Sequence, residues 1–233
     1  MSRSDAFDWG DLSGRSPISA VWGTDRGKPV DRFFVEQFLD MHRSDIHGRV
    51  LEVKDPGYTR MFGGERVVDA EVIDLDPENS QATMRADLSC ADDVTGDQFD
   101  CFILTQTLHI IYDIRAALSH AVRMLKPDGV LLCTIPAVSR VNYEDGGLES
   151  GDYWRLTAAA VRRLFEEILP SECVSIHTPG NVKLCVAFLS GLATEDLSAD
   201  DLAFRDPWFP LLHCVRAIKP SSSGHVSTRR HTS

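Results

Sequence analysis

Along the 233-residue chain, apolar and polar positions alternate in short blocks that read as strands: RVLEV (49–53), VVDAEVID (67–74), ATMRADL (82–88), FDCFILT (99–105) and GVLLCTI (129–135). The last two are apolar almost throughout, as expected of central strands covered on both faces of a parallel sheet. Between them, Ile114, Ala117, Leu118, Ala121, Val122 and Leu125 recur at helical spacing. Asp113 is placed to cap that helix, and Pro127 and Gly129 punctuate its end. A second helix is predicted in TAAAVRRLFEEILP, with Thr157 as cap and Val161, Leu164, Phe165, Ile168 and Leu169 as the buried stripe. Upstream, PVDRFFVEQFLDMH places Phe34, Phe38 and Met41 on one helical face. Downstream come a strand-like CVSIHT, a helix over NVKLCVAFLSGLA and a final strand LLHCVRAIKP. Strands alternating with helices predict a doubly wound α/β fold in one domain. The expected division is an N-terminal segment 1–29 packing on the domain, the domain itself at 30–220, and a disordered tail at 221–233. From Lys54 to Val67 the chain has no room for a full crossover helix.

Composition removes several classes of function. The formal net charge of -11 argues against a nucleic-acid partner, which needs a basic footprint. No apolar run approaches the ~20 residues of a membrane span, and the opening residues lack the apolar core and cleavage site of a secretory signal. A cytoplasmic location is therefore expected. The six cysteines are scattered, several within apolar runs, and read as reduced core residues. With no CxxC pair and no HxH or HxxxH cluster, no metal site is expected. A small-molecule partner is favoured.

Sheets of this kind bind ligands beyond the carboxyl ends of their strands. Asp74 ends the second strand about twenty residues past the loop at 54–58, where a carboxylate can accept hydrogen bonds from ribose hydroxyls. Asp87 closes the third segment and could accept from an adenine amine. Thr105, Gln106, His109 and Tyr112 follow the fourth strand, beside any bound cofactor. GxGxxG is absent, which disfavours a nicotinamide dehydrogenase.

In their order and spacing, VLEVKDPGYT, VIDLDPEN, ADLS, FDCFILTQTLHII and MLKPDGVLLCTIP resemble the class I S-adenosylmethionine-dependent methyltransferases, particularly the small bacterial kind with a compact loop after the first strand. The resemblance runs from roughly Arg26 to Pro220. It implies a mostly parallel seven-stranded sheet with helices on both faces and an antiparallel last strand. It also implies S-adenosylmethionine as cofactor, with Glu52, Lys54, Asp55, Gly57 and Tyr58 at the methionyl part, Asp74 at the ribose, Asp87 at the adenine, and Thr105 and Gln106 alongside. His109 and Tyr153 become the candidate catalytic groups, His109 as a base for an oxygen acceptor. Tyr112, Trp154 and Arg155 become candidate acceptor contacts. Lys54 and Asp128 stand where the family's pattern has glycine.

Each assignment has a structural alternative. Asp74 could start a turn, Asp87 could be a loop cap, His109 a core residue, and Tyr153 with Trp154 a packing cluster. Three functions stay open: methyl transfer to a small acceptor such as a sugar or natural-product hydroxyl or an amine; a methyltransferase-like fold turned to another reaction, with Lys54 as its support; and a non-catalytic scaffold, including a homodimer through residues 9–27.

Overall fold

The computed structural model describes residues 14–142 and 151–221. The N-terminal 13 residues and the tail from 222 onward therefore lie outside the described residues, as do 143–150. In chain order the strands are β1 (Gly48–Val53), β2 (Val67–Asp74), β3 (Met84–Arg85), β4 (Phe99–Thr105), β5 (Leu125–Pro136), β6 (Val174–His177) and β7 (Leu212–Ile218). The helices are α1 (Val30–Met41), α2 (Ile114–Met124), α3 (Ala158–Glu166), α4 (Val182–Ser190) and α5 (Ala199–Ala203).

All seven strands form one sheet in the order β3-β2-β1-β4-β5-β7-β6. β7 runs antiparallel to both of its neighbours, and the other pairs are parallel. The doubly wound sheet read from the sequence, with its antiparallel last strand, is the one observed.

Two apolar layers cover the sheet. On one face, α2 and α3 bury Leu118, Ala121, Val161 and Phe165 against Leu51, Phe102, Leu104 and Leu131. On the other, α1 and α4 bury Phe34, Phe38, Leu184 and Phe188 against Val50, Cys101, Ile103 and Leu132. Alternate residues of β1 and β4 thus serve opposite layers, as the pleat requires. Side-chain caps open four helices: Asp113 accepts from the Ala116 N–H at 3.0 Å, Thr157 from Ala160 at 3.3 Å, Asn181 from Leu184 at 2.9 Å and Ser198 from Asp201 at 3.2 Å.

Several elements depart from the periodicity. The third strand shrinks to Met84–Arg85, because Thr83 Oγ1 already accepts from the Val72 N–H and Asp87 caps a 3₁₀ turn at Leu88–Cys90. β5 begins at Leu125, so the end of the predicted helix is strand. Met41 is 56% exposed, and Val35 and Leu39 complete the α1 stripe in its place. Of the six cysteines, all free, only Cys101, Cys133 and Cys214 are buried. The short link from β1 to β2 holds a five-residue π-helical turn, Thr59–Gly63, followed by a 3₁₀ turn.

The described part of the N-terminal segment lies across the end of α4. Ile18 and Ser19 donate to the Ser190 carbonyl, Arg26 pairs with Asp196, and Pro29 bridges to Ala193. Trp22 is thereby held over the carboxyl end of the sheet, where it lines two cavities.

Candidate active site

The carboxyl ends of β1, β2 and β4 open into a cleft of about 700 Å³, within the size range of small-molecule sites. Its walls bring together Glu52, Lys54, Asp55, Gly57, Tyr58, Asp74, Thr105, Gln106 and His109, nine positions singled out from the sequence, with Arg32, Glu36 and Asp76 added by α1 and the β2 loop.

Glu52 is 4% exposed, in the middle of the sheet. Its two oxygens accept from the backbone N–H groups of Tyr58, at 3.0 Å, and Thr59, at 2.7 Å. The acid therefore pins the first turn after β1. Burial raises its pKa, and the two N–H groups oppose that rise. Lys54 has φ +74°, the left-handed conformation that glycine adopts without strain. A conformation suited to glycine is thus held by a residue with a side chain, and that side chain is exposed. Asp55 folds the next step of the loop by accepting from the Gly57 N–H at 2.9 Å.

Asp74 forms the turn that the sequence left open to it and also borders the cleft. Its Oδ1 accepts from the Asp76 N–H at 3.1 Å, a turn-forming bond, and its Oδ2 accepts from Asn79, which also donates to the Lys54 carbonyl. The half-buried carboxylate still faces the cleft. Gln106, with φ +47°, is a second strained residue in the wall, fixed by its N–H to the Thr134 carbonyl at 2.9 Å.

Beside the cleft are two smaller chambers, of about 210 and 310 Å³. Gln106, His109 and Asn142 line both the cleft and the first chamber and so stand at the boundary between them. Trp22, Asp31, Arg140, Asp152 and Arg155 line the first chamber as well. The His109 ring is half-buried, and its Nδ1 is buried without a hydrogen-bond partner among the described residues. Burial lowers its pKa to about 4, with Asp152 pulling it back up and Arg155 pressing it further down. The imidazole is neutral at physiological pH. In this form the ring can accept a hydrogen bond, and the lowered pKa makes it a weaker proton acceptor than a free histidine.

Arg155 is held by Asp152 through bonds of 2.5 and 2.8 Å and donates to the Arg140 carbonyl at 2.8 Å. Asp152 also accepts from the Asn142 N–H at 2.8 Å, and the Arg155 pairing lowers its pKa. Tyr153 and Trp154 donate their backbone N–H groups to the His109 carbonyl, which ties the segment after β5 to the segment after β4.

The structure leaves four sequence candidates out of the cavity walls. Asp87 accepts from the Ser89 N–H at 2.8 Å and caps its turn. Tyr112 is 71% exposed and forms an aromatic cluster with Tyr153 and Trp154, at centroid distances of 5.2 and 6.0 Å. Trp154 packs on the core and donates Nε1 to the Ile111 carbonyl at 3.0 Å. Sequence reasoning in turn missed Trp22, Asp31, Arg140 and Asp152. The signal for Arg140 was its place just past the carboxyl end of β5, the edge of the sheet where ligands sit. Trp22 and Asp31 carried none, since they reach the site from a segment that precedes the sheet. Among the described residues, no group of three or more His, Cys, Asp or Glu side chains is placed to hold a metal ion, and no helix is long and apolar enough to cross a membrane.

Solved structures share this architecture. An S-adenosylmethionine-dependent methyltransferase from Mesorhizobium loti superposes with a TM-score of 0.54 at 13% identity, covering 84% of this chain and 100% of that one. A SAM-dependent methyltransferase from Archaeoglobus fulgidus gives 0.52 at 12% identity, covering 81% and 94%. The [4+2]-cyclase SpnF gives 0.52 at 15% identity, covering 84% of each. At such identities the likeness is one of fold. No curated protein matches the chain. The acidic cleft suits a ligand that carries a sulfonium and an ammonium: Glu36, Glu52, Asp55, Asp74 and Asp76 line it against Arg32 and Lys54. A family model described as a methyltransferase domain matches residues 38–174, well over half of the sequence and nearly all of the cleft, and the chain accordingly belongs to that family, a methyltransferase whose cofactor is S-adenosylmethionine.

Proposed function

We propose that the protein methylates a small-molecule acceptor in the cytoplasm, with the cofactor in the large cleft and the acceptor in the first chamber. The observation that carries this reading is that Gln106, His109 and Asn142 line both a large acidic cleft and a chamber of about 210 Å³, and we take this shared boundary as the passage between cofactor and acceptor. A chamber of that size suits a metabolite better than a macromolecular segment.

The sulfonium, when bound, supplies an already activated methyl group, so the chain's task is to align the acceptor and exclude water. Asp74 is assigned to the ribose hydroxyls. The loop from Lys54 to Tyr58 is assigned to the methionyl part, where the Lys54 ammonium repels the sulfonium more than it gains from the cofactor's carboxylate. His109 accepts a hydrogen bond from the acceptor's O–H or N–H at the passage and so orients the reacting atom. Trp22 shields the chamber from solvent.

Calorimetric titration with S-adenosylmethionine and S-adenosylhomocysteine tests the reading. Saturable binding of both is expected. Failure of both to bind would move the weight to a methyltransferase-like fold used for another reaction, for which the lysine in the glycine position is the specific support.

A further inference from the structure

The first chamber holds a cation that forms no ion pair among the described residues. Arg140 follows β5, and its guanidinium lies over the Trp22 ring at 3.6 Å from the centroid. That contact uses the face of the guanidinium and leaves its edge, where all the N–H donors point, available. Arg140 is half-buried, yet among the described residues it makes no ion pair, and its buried Nε has no hydrogen-bond partner. Its neighbour Arg155 differs. Asp152 balances the Arg155 charge with two bonds, and only the Arg155 Nε, also buried, lacks a partner.

The acids of the chamber are accounted for. Asp152 is committed to Arg155 and to the Asn142 N–H. Asp31 lines the same space without pairing to Arg140, and burial raises its pKa toward the neutral form. A chain with a net charge of -11 has thus placed, in a small open chamber, a guanidinium that no carboxylate among the described residues pairs with. A buried Nε without a partner is costly to leave empty, and the planar fork to which it belongs matches an oxyanion.

We infer that the acceptor is a small organic acid whose oxyanion group, a carboxylate or a phosphate, is bound by the Arg140 edge with help from the Arg155 Nε, while its reacting atom lies at the His109 passage. This rests on the methyl-transfer reading for the word acceptor, and on the chamber alone for the acid. It also supplies specificity: a neutral analogue would leave the guanidinium edge unpaired.

The test is a ligand-observed NMR screen of matched pairs, small carboxylic acids against their primary amides and phosphate monoesters against their parent alcohols. It is run with and without S-adenosylhomocysteine on the full chain. In the wild type, acids should bind at least about tenfold more tightly than their neutral partners, the scale of a charge-assisted bidentate contact. In Arg140→Met, which keeps the stem over Trp22, the preference should vanish, and Arg140→Lys should keep part of it. Affinity for S-adenosylhomocysteine should be unchanged in both variants. Which series shows the preference separates a carboxylate acceptor from a phosphate one. Neutral members binding as well as acids, no member of either series binding, or a preference that persists in Arg140→Met would overturn the inference; the first two outcomes need no variant to fold. Absence of S-adenosylhomocysteine binding would sink the methyl-transfer reading instead, and the acid preference would still be readable without it.

Discussion

Lys54 and Asp128 occupy the two positions where the family's pattern has glycine, and both take the left-handed conformation, φ +74° and +64°. Each thus carries a strain that glycine would not. Asp128 is remote from the cleft and holds its turn by a backbone bond to the Lys219 carbonyl that a glycine would keep. Lys54→Gly and Asp128→Gly should each stabilise the protein by about 0.5–1 kcal/mol, net of the freedom glycine adds to the unfolded chain. That corresponds to a rise of roughly 1–4 °C in melting temperature. Only Lys54→Gly should alter cofactor binding, and it should strengthen S-adenosylmethionine more than S-adenosylhomocysteine, because the lysine repels the sulfonium that the product has lost. Weaker binding of S-adenosylmethionine by the glycine variant would identify the lysine as a ligand of the cofactor's carboxylate. The sequence exposed the anomaly at Lys54 but not its resolution, since φ is a property of the folded loop.

At the scale of elements, β1 and the turn behind it act as one unit. Glu52 takes two backbone N–H groups of the π-helical segment, so a strand residue sets the path of the loop. Glu52→Gln keeps the shape, offers one acceptor oxygen in place of two, and turns an N–H₂ toward an N–H. It should cost about 1–3 kcal/mol, the scale for a buried donor left unsatisfied, and weaken S-adenosylhomocysteine binding along with it. A urea midpoint and a titration on the same sample check both, and full stability with lost binding would make Glu52 a direct ligand. The elements that could be read in advance were those with strong periodicity and side-chain caps, such as α2 behind Asp113 and α3 behind Thr157. β3 was overread because ATMRADL alternates in pattern, while Thr83 and Asp87 spend their side chains on local backbone groups. α5, only five residues long, has too few turns to show a period. The cleft was largely legible, since its residues sit at the ends of recognisable strands. The first chamber was not, because it is assembled by α1, the N-terminal segment and the loop after β5, which no single motif spans.

For the whole molecule, the net charge of -11 and the excess of carboxylates around the cleft act together on a charged ligand. S-adenosylmethionine bears the sulfonium, and S-adenosylhomocysteine is left with the zwitterionic amino-acid part alone. Raising ionic strength from about 0.01 to 0.15 M shortens the screening length from about 30 to about 8 Å, so the dissociation constant should rise for the former and change little for the latter. Equal salt dependence of the two would mean that the field of the protein does not favour the sulfonium. The strap that carries Trp22 has a different consequence. Its indole borders both smaller chambers and stacks on Arg140, and the large cleft's walls do not include it. Trp154 is tied to the Ile111 carbonyl and Trp208 is 85% exposed. Among the described tryptophans, Trp22 is therefore the optical reporter on the acceptor side, and its fluorescence is expected to change more on loading of the second ligand than of the first, so the order in which the two substrates load can be followed by light without a label.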